Sequence, residues 1–127
     1  PAYAENTKAK KLLMNLSPQN IVAVNPTVVH ETYHTLVYGQ KWVPTGARDR
    51  LQLILQHPYV EFYNQTKKVT RAALDLAVEF SLGGRDSLIL ANYLVNKVNK
   101  MLTHDSELLS IRRVSWRNRS IIMEDPI

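Results

Sequence analysis

Short β-branched runs alternate with amphipathic stretches along this 127-residue chain, which predicts an α/β domain with a largely parallel central sheet. Three observations carry that expectation. "IVAVN" and "SIIME" are too short for buried helices and rich in β-branched residues. Residues 67–81 repeat apolar side chains at helical spacing. Proline, glycine and aspartate stand where elements should start and stop. A hydrophobic fraction of 45% and a charged fraction of 21% are those of a globular chain, and the length suits a single domain over residues 1–127.

Residues 3–16, "YAENTKAKKLLMNL", read as a helix ended by Ser17-Pro18-Gln19-Asn20. "IVAVN", 21–25, reads as a strand, and Asn25-Pro26 opens a helix with proline where its missing N–H costs little. Val29, Tyr33, Leu36 and Val37 give that helix an apolar stripe, with Glu31 on the opposite side. Gly39 to Gly46 is a break. A helix follows over 47–57, with Ala47, Leu51, Ile54 and Leu55 on one face, and Pro58 stops it. "YVEFYN", 59–64, alternates like a strand. The helix at 67–81 packs Val69, Ala72, Ala73, Leu76 and Phe80 on one face, and Gly83-Gly84 stops it. Asp86 is placed as the N-cap of "SLILANYLVNKVNK". "KMLT", 100–103, is a strand, Asp105 begins the helix "SELLSI", and "SIIME", 120–124, is the last strand.

Composition narrows the function. The chain has no cysteine, which excludes disulfides, iron–sulfur clusters and cysteine-bound zinc, and fits a reducing, cytoplasmic setting. No apolar run approaches the roughly 18 residues of a membrane span. A formal charge of +5 favours an anionic partner.

His30-Glu31-Thr32-Tyr33-His34 matches the HExxH pattern of zinc hydrolases, in which two histidines hold zinc and the glutamate is the general base. That reading needs a third ligand, and His57, Glu61 and His104 stand in no recognisable third-ligand motif. Solvated helix histidines are the plainer account of His30 and His34. Glu31 has a second use. It follows a strand on a helix, Asp86 sits at a helix start, and Asp105 directly follows a strand. In a parallel sheet these positions share one edge, where ligands bind. Clustered carboxylates repel, and a hard divalent cation relieves the repulsion. Singly, each acid is explained by N-capping or by the helix dipole.

Taken together, "VNPTVVHETYHTLV", "LGGRDSLILANYL" and "MLTHDSELLSI" resemble, in order, three motifs of the PIN domain, most closely in VapC-type toxins of toxin–antitoxin pairs. The resemblance implies a three-layer α/β sandwich and metal-dependent endoribonuclease activity. It implies Mg²⁺ or Mn²⁺ held by Glu31, Asp86 and Asp105, with Thr103 orienting Asp105 or a bound water. It further implies an RNA substrate, a VapB-type antitoxin and a homodimer. Arg85, Arg112 and Arg113 are the favoured contacts to RNA phosphates, in a basic rim that also includes Lys8, Lys10, Lys11, Lys97, Lys100, Arg117 and Arg119. Trp42 and Trp116 are candidates to stack on bases, or else to pack in a loop or dimer contact and over the sheet edge. PIN domains open on a strand ending in Asp-x-Asn. Nothing before Tyr3 matches it, and "PAYAENTKAKKLL" resembles the helix that follows it. The chain is therefore expected to be an N-terminally incomplete form of its gene product, lacking the first strand and first aspartate ligand. The alternatives are a zinc hydrolase through His30, Glu31 and His34, and a non-catalytic PIN-like domain that binds RNA or protein.

Overall fold

The structure is a computed structural model that describes residues 15–125, so the helix expected over 3–16 lies almost wholly outside the described residues. Its elements run β1 (Val22–Val24), α1 (Pro26–His34), α2 (Pro44–Gln56), β2 (Val60–Phe62), α3 (Lys67–Phe80), α4 (Gly84–Val95), β3 (Lys100–Leu102), α5 (Ser106–Ile111), β4 (Arg113–Trp116) and β5 (Arg119–Glu124). The class is the expected α/β. Strands β1 and β2 pair in parallel, as do β3 and β5, while β4 runs antiparallel to β5.

One difference matters for function. The strands form two sheets, β1-β2 and β3-β5-β4, with no hydrogen-bonded pairing between them among the described residues. Helix α4 bridges the two. The hydroxyl of buried Tyr93 donates to the Ala23 carbonyl of β1 at 3.1 Å. Asn92, fully buried, turns its Nδ2 to the carbonyls of Tyr63 and Asn64 and to Gln65 Oε1, at 3.0–3.2 Å. Gln65 in turn donates to Thr27 Oγ1 at 2.8 Å, tying the loop after β2 to the start of α1. Ile89, Leu90 and Leu94 of α4 join one core with Val114, Ile121 and Met123 of the second sheet.

The strongest sequence signal became the strongest packing. Val69, Ala72, Ala73 and Leu76 of α3 are buried as expected and lie along α4 in a helical hairpin. Small residues at 72 and 73 let the two backbones approach. Alanine truncation of a fully buried leucine such as Leu90 typically costs about 2–5 kcal/mol.

Several boundaries moved. α2 begins at Pro44, three residues before the expected start, because Pro44 supplies a preset first-turn φ. α3 ends on Ser81 in the left-handed region (φ 55°), so the stop lies before the glycines. Gly83, not Asp86, caps α4, and Asp86 sits in the first turn. α4 ends at Val95 rather than continuing to Lys100, with Lys97 left-handed (φ 64°) just beyond it. The sequence reading missed β4. That strand has only four residues and follows Arg112, itself left-handed at φ 70°.

The Tyr93 hydroxyl tests the bridge. Burial pushes its pKa up from 10.0 to about 12. The unfolded chain therefore releases this proton first, so stability present below pH 10 is lost as the pH rises toward 12. Tyr63, raised chiefly by its hydrogen bond to Glu61, acts in the same sense. Tyr93→Phe is expected to remove about 1 kcal/mol at neutral pH and to flatten the alkaline decline, read by urea melts at stepped pH. A variant with an unchanged pH profile would refute the assignment of that decline to Tyr93.

Candidate functional site

Helix α1 begins where the sequence says it should. Asn25 is its N-cap, its Oδ1 accepting from Val28 N–H at 2.9 Å, and Pro26 is in the first turn. This start carries Glu31 toward the opening turn of α4. There Arg85 Nε stands 3.4 Å from Glu31 Oε2, an ion pair outside hydrogen-bond geometry. The Glu31 side chain as a whole is 39% exposed, yet Oε2 itself is enclosed and has no hydrogen-bond donor. A solvent-screened pair of this kind adds little stability, so its interest is chemical. Asp86 follows Arg85 in the same half-turn and is half-buried.

Asp105 is used differently. Its Oδ1 accepts from the backbone N–H groups of Glu107 and Leu108 at 2.9 and 3.2 Å, capping α5 as expected. Thr103 Oγ1 accepts from the Asp105 N–H at 3.1 Å, so the threonine fixes the backbone that carries the acid. The structure thus brings Arg85 and its turn to Glu31 but does not draw Asp105 into a ligand set with them. Among the described residues no three His, Asp or Glu side chains are grouped so as to hold a metal ion. The sheet division gives the physical reason. Glu31 follows β1 and Asp105 follows β3, and the expected common edge needs those strands in one sheet.

Glu31 has the donor chemistry a hard cation takes, an enclosed carboxylate oxygen with no competing hydrogen bond. The zinc pattern fares less well. His34 stacks on Tyr38 at 4.9 Å between ring centroids, and exposed His30 lines a groove between α1 and α2, with no third ligand grouped beside them among the described residues.

The expected basic rim is partly committed elsewhere. Arg85 pairs with Glu31, and Lys100 pairs with Glu124 at 3.6 Å. Arg119 donates to the Leu94 and Val95 carbonyls at 3.2 and 2.7 Å, closing the C-terminus of α4. Arg112 and Arg113 are exposed at the α5–β4 junction. Lys8, Lys10 and Lys11 lie outside the described residues. The sequence reading passed over Lys67, Lys68 and Arg71. With Trp116 and Arg117 they line a cavity of about 430 Å³. The signal that could have found them is a helix start with cations and no acid in its first turn.

Residues 4–114 match the profile of the PIN domain. The chain belongs to the PIN domain family. The match spans all three acidic motifs. PIN domains are a nuclease-type fold, commonly metal-dependent and acting on RNA. No curated protein matches this PIN domain closely enough to add a substrate or partner. No helix among its described residues is long and apolar enough to cross a membrane.

The capping role of Asp105 can be tested by substitution. Asp105→Ala is expected to lose the cap and about 1 kcal/mol of stability, whereas Asp105→Asn keeps an acceptor and stays within a few tenths. Equal destabilisation of the two in thermal melts would contradict the capping role.

Proposed function

We propose that this PIN domain is a metal-dependent endoribonuclease, the toxin of a VapC-type toxin–antitoxin pair, with Glu31, Asp86 and Asp105 as its acidic residues. The observation that carries the reading is Glu31 Oε2, enclosed and without a hydrogen-bond donor beside the Arg85–Asp86 turn, in a chain matched to the PIN domain across 4–114. A bound Mg²⁺ or Mn²⁺ would supply an activated water and stabilise charge on the phosphate. Glu31 and Asp86, on neighbouring turns of α1 and α4, would offer oxygen donors to it, and Asp105 would act directly or through water. Thr103 is a positioning residue, since its hydroxyl already holds the Asp105 backbone. Arg85 has two uses: it neutralises Glu31 in the state described, and it stands ready to meet an RNA phosphate when a cation takes over that neutralisation. Arg112 and Arg113, both exposed, remain candidate phosphate contacts.

The partner readings rest on exposed apolar side chains. Tyr38, Trp42 and Val43 form one exposed run, and Leu53 and Leu55 lie on α2. Apolar surface of this kind supports a homodimer and an antitoxin protein as partners.

The complete protein, with the expected first aspartate, should cleave RNA in Mg²⁺ or Mn²⁺ and stop in EDTA. Glu31→Gln and Asp86→Asn should each lower the rate by at least about a hundredfold with unchanged circular dichroism. Undiminished cleavage in both variants would reject the site. The second reading, a non-catalytic PIN domain, is favoured by the absence of a grouped acidic trio among the described residues. It is distinguished by RNA binding with no metal-dependent cleavage.

A further inference from the structure

The cavity lined by Lys67, Lys68, Arg71 and Asp75 of α3 and by Trp116 and Arg117 of the β4–β5 turn is far from the acidic residues and has no part in the reading above. α3 and α4 form a hairpin, and the turn joining them adjoins Arg85 and Asp86. The start of α3 is therefore at the far end, roughly 20 Å away for 14 residues at a helical rise of about 1.5 Å each.

Four cations face this cavity against one carboxylate. Among the described residues none of Lys67, Lys68, Arg71 or Arg117 has an acidic partner within 4.0 Å, Asp75 included. Two features make this more than a solvated face. Lys67 and Lys68 open α3, whose first turn carries no acid. Cations there oppose the helix dipole, so the local electrostatics disfavour them. Arg117 is the first residue of a two-residue turn and is held at φ 54°, a left-handed conformation that disfavours branched side chains. Its guanidinium lies over the Trp116 ring, 4.7 Å from the centroid, and makes no hydrogen bond among the described residues. The stacked ring orients the charge and leaves its N–H groups available. Arg119, 5.9 Å from the centroid of the same ring, is by contrast consumed by the α4 carbonyls. The α3 backbone is not the ligand-binding element, because Thr66 Oγ1 already accepts from Val69 N–H.

We propose that this cavity is an exosite for the phosphate backbone of single-stranded RNA, gripping the strand about 20 Å from the acidic corner. The choice of RNA over an acidic protein rests on the nuclease reading. The cavity itself requires only closely spaced anions. Arg71 and Lys68, one turn apart, meet the strand from α3, and Arg117 meets it from the hairpin.

The test measures binding apart from cleavage, in EDTA, by fluorescence anisotropy of a short labelled oligouridine with the full chain. Lys68→Glu combined with Arg71→Glu is expected to weaken binding at least about tenfold. The same pair should flatten the log–log salt dependence by about 0.7 for each phosphate that is no longer neutralised. Arg50→Glu, a charge reversal on the exposed face of α2, should change binding less than about twofold. Lys67→Glu with Lys68→Glu should raise the melting temperature while weakening RNA binding, a pair of opposite effects that misfolding cannot produce. Equal losses in the Arg50 variant, no loss in the α3 variants, or polyglutamate competing as well as RNA would each overturn the exosite. Its fate is separate from that of the nuclease reading. Weakened binding in the α3 variants, with a complete protein that fails to cleave in Mn²⁺, supports the exosite and sinks the nuclease. Cleavage by wild type with unaltered binding in the α3 variants does the reverse.

Discussion

Helix α4 is the element on which the rest of the described structure depends. Its mid-section is buried without interruption from Ile89 to Leu94, and its faces serve different neighbours. Leu90 and Leu94 hold the second sheet and α3 by apolar packing. Tyr93 holds β1, and Asn92 the loop after β2, by hydrogen bonds to backbone carbonyls. A polar side chain in a core is tolerated only when its partners are good. Asn92 donates well, although its Oδ1, like Asn25 Nδ2, is buried without a partner.

The same helix positions Arg85 against Glu31. Because α4 is fixed at its middle, its first turn has a defined place against α1, and Arg85 meets Glu31 there. The corner combines a carboxylate with an enclosed oxygen, a second acid one residue from the arginine, and solvent access. A cation and an RNA phosphate can both be served by that combination, the first by the acids and the second by the arginine once released. At the opposite end of the hairpin the sign of the charge is reversed. A strand of RNA drawn to Lys68, Arg71 and Arg117 would be held by the basic end of a molecule whose acidic corner repels it. That arrangement would place grip and chemistry at opposite ends of the α3–α4 hairpin.

Local signals were legible and long-range pairing was not. The amphipathic period of α3, the Asn25-Pro26 start of α1 and the Asp105 cap of α5 are decided within a few residues, and all stand as read. The Asp86 cap failed because Gly83 takes the extended conformation two residues before Arg85 and starts the helix earlier. β4 was missed because Arg113 and Ser115 interrupt it and no apolar run marks it. Whether β1 and β3 share a sheet depends on partners far apart in sequence, so the strand periodicity that located each of them was silent on their continuity. The expected assembly of the carboxylates depends on that continuity. Lys67, Lys68 and Arg71 were passed over because Trp116 and Arg117, which turn them into a cavity, lie more than forty residues on.

The most direct measurement is Mn²⁺ titration of the isotope-labelled protein, following paramagnetic broadening of its backbone amides. The account expects broadening to appear first, and most strongly, at Glu31 and at Arg85–Asp86, with the ordinary signals returning in EDTA. Broadening centred on His30 and His34 without the Arg85–Asp86 turn, or none above that of exposed surface acids, would contradict the claim that α4 presents a cation-binding corner to Glu31.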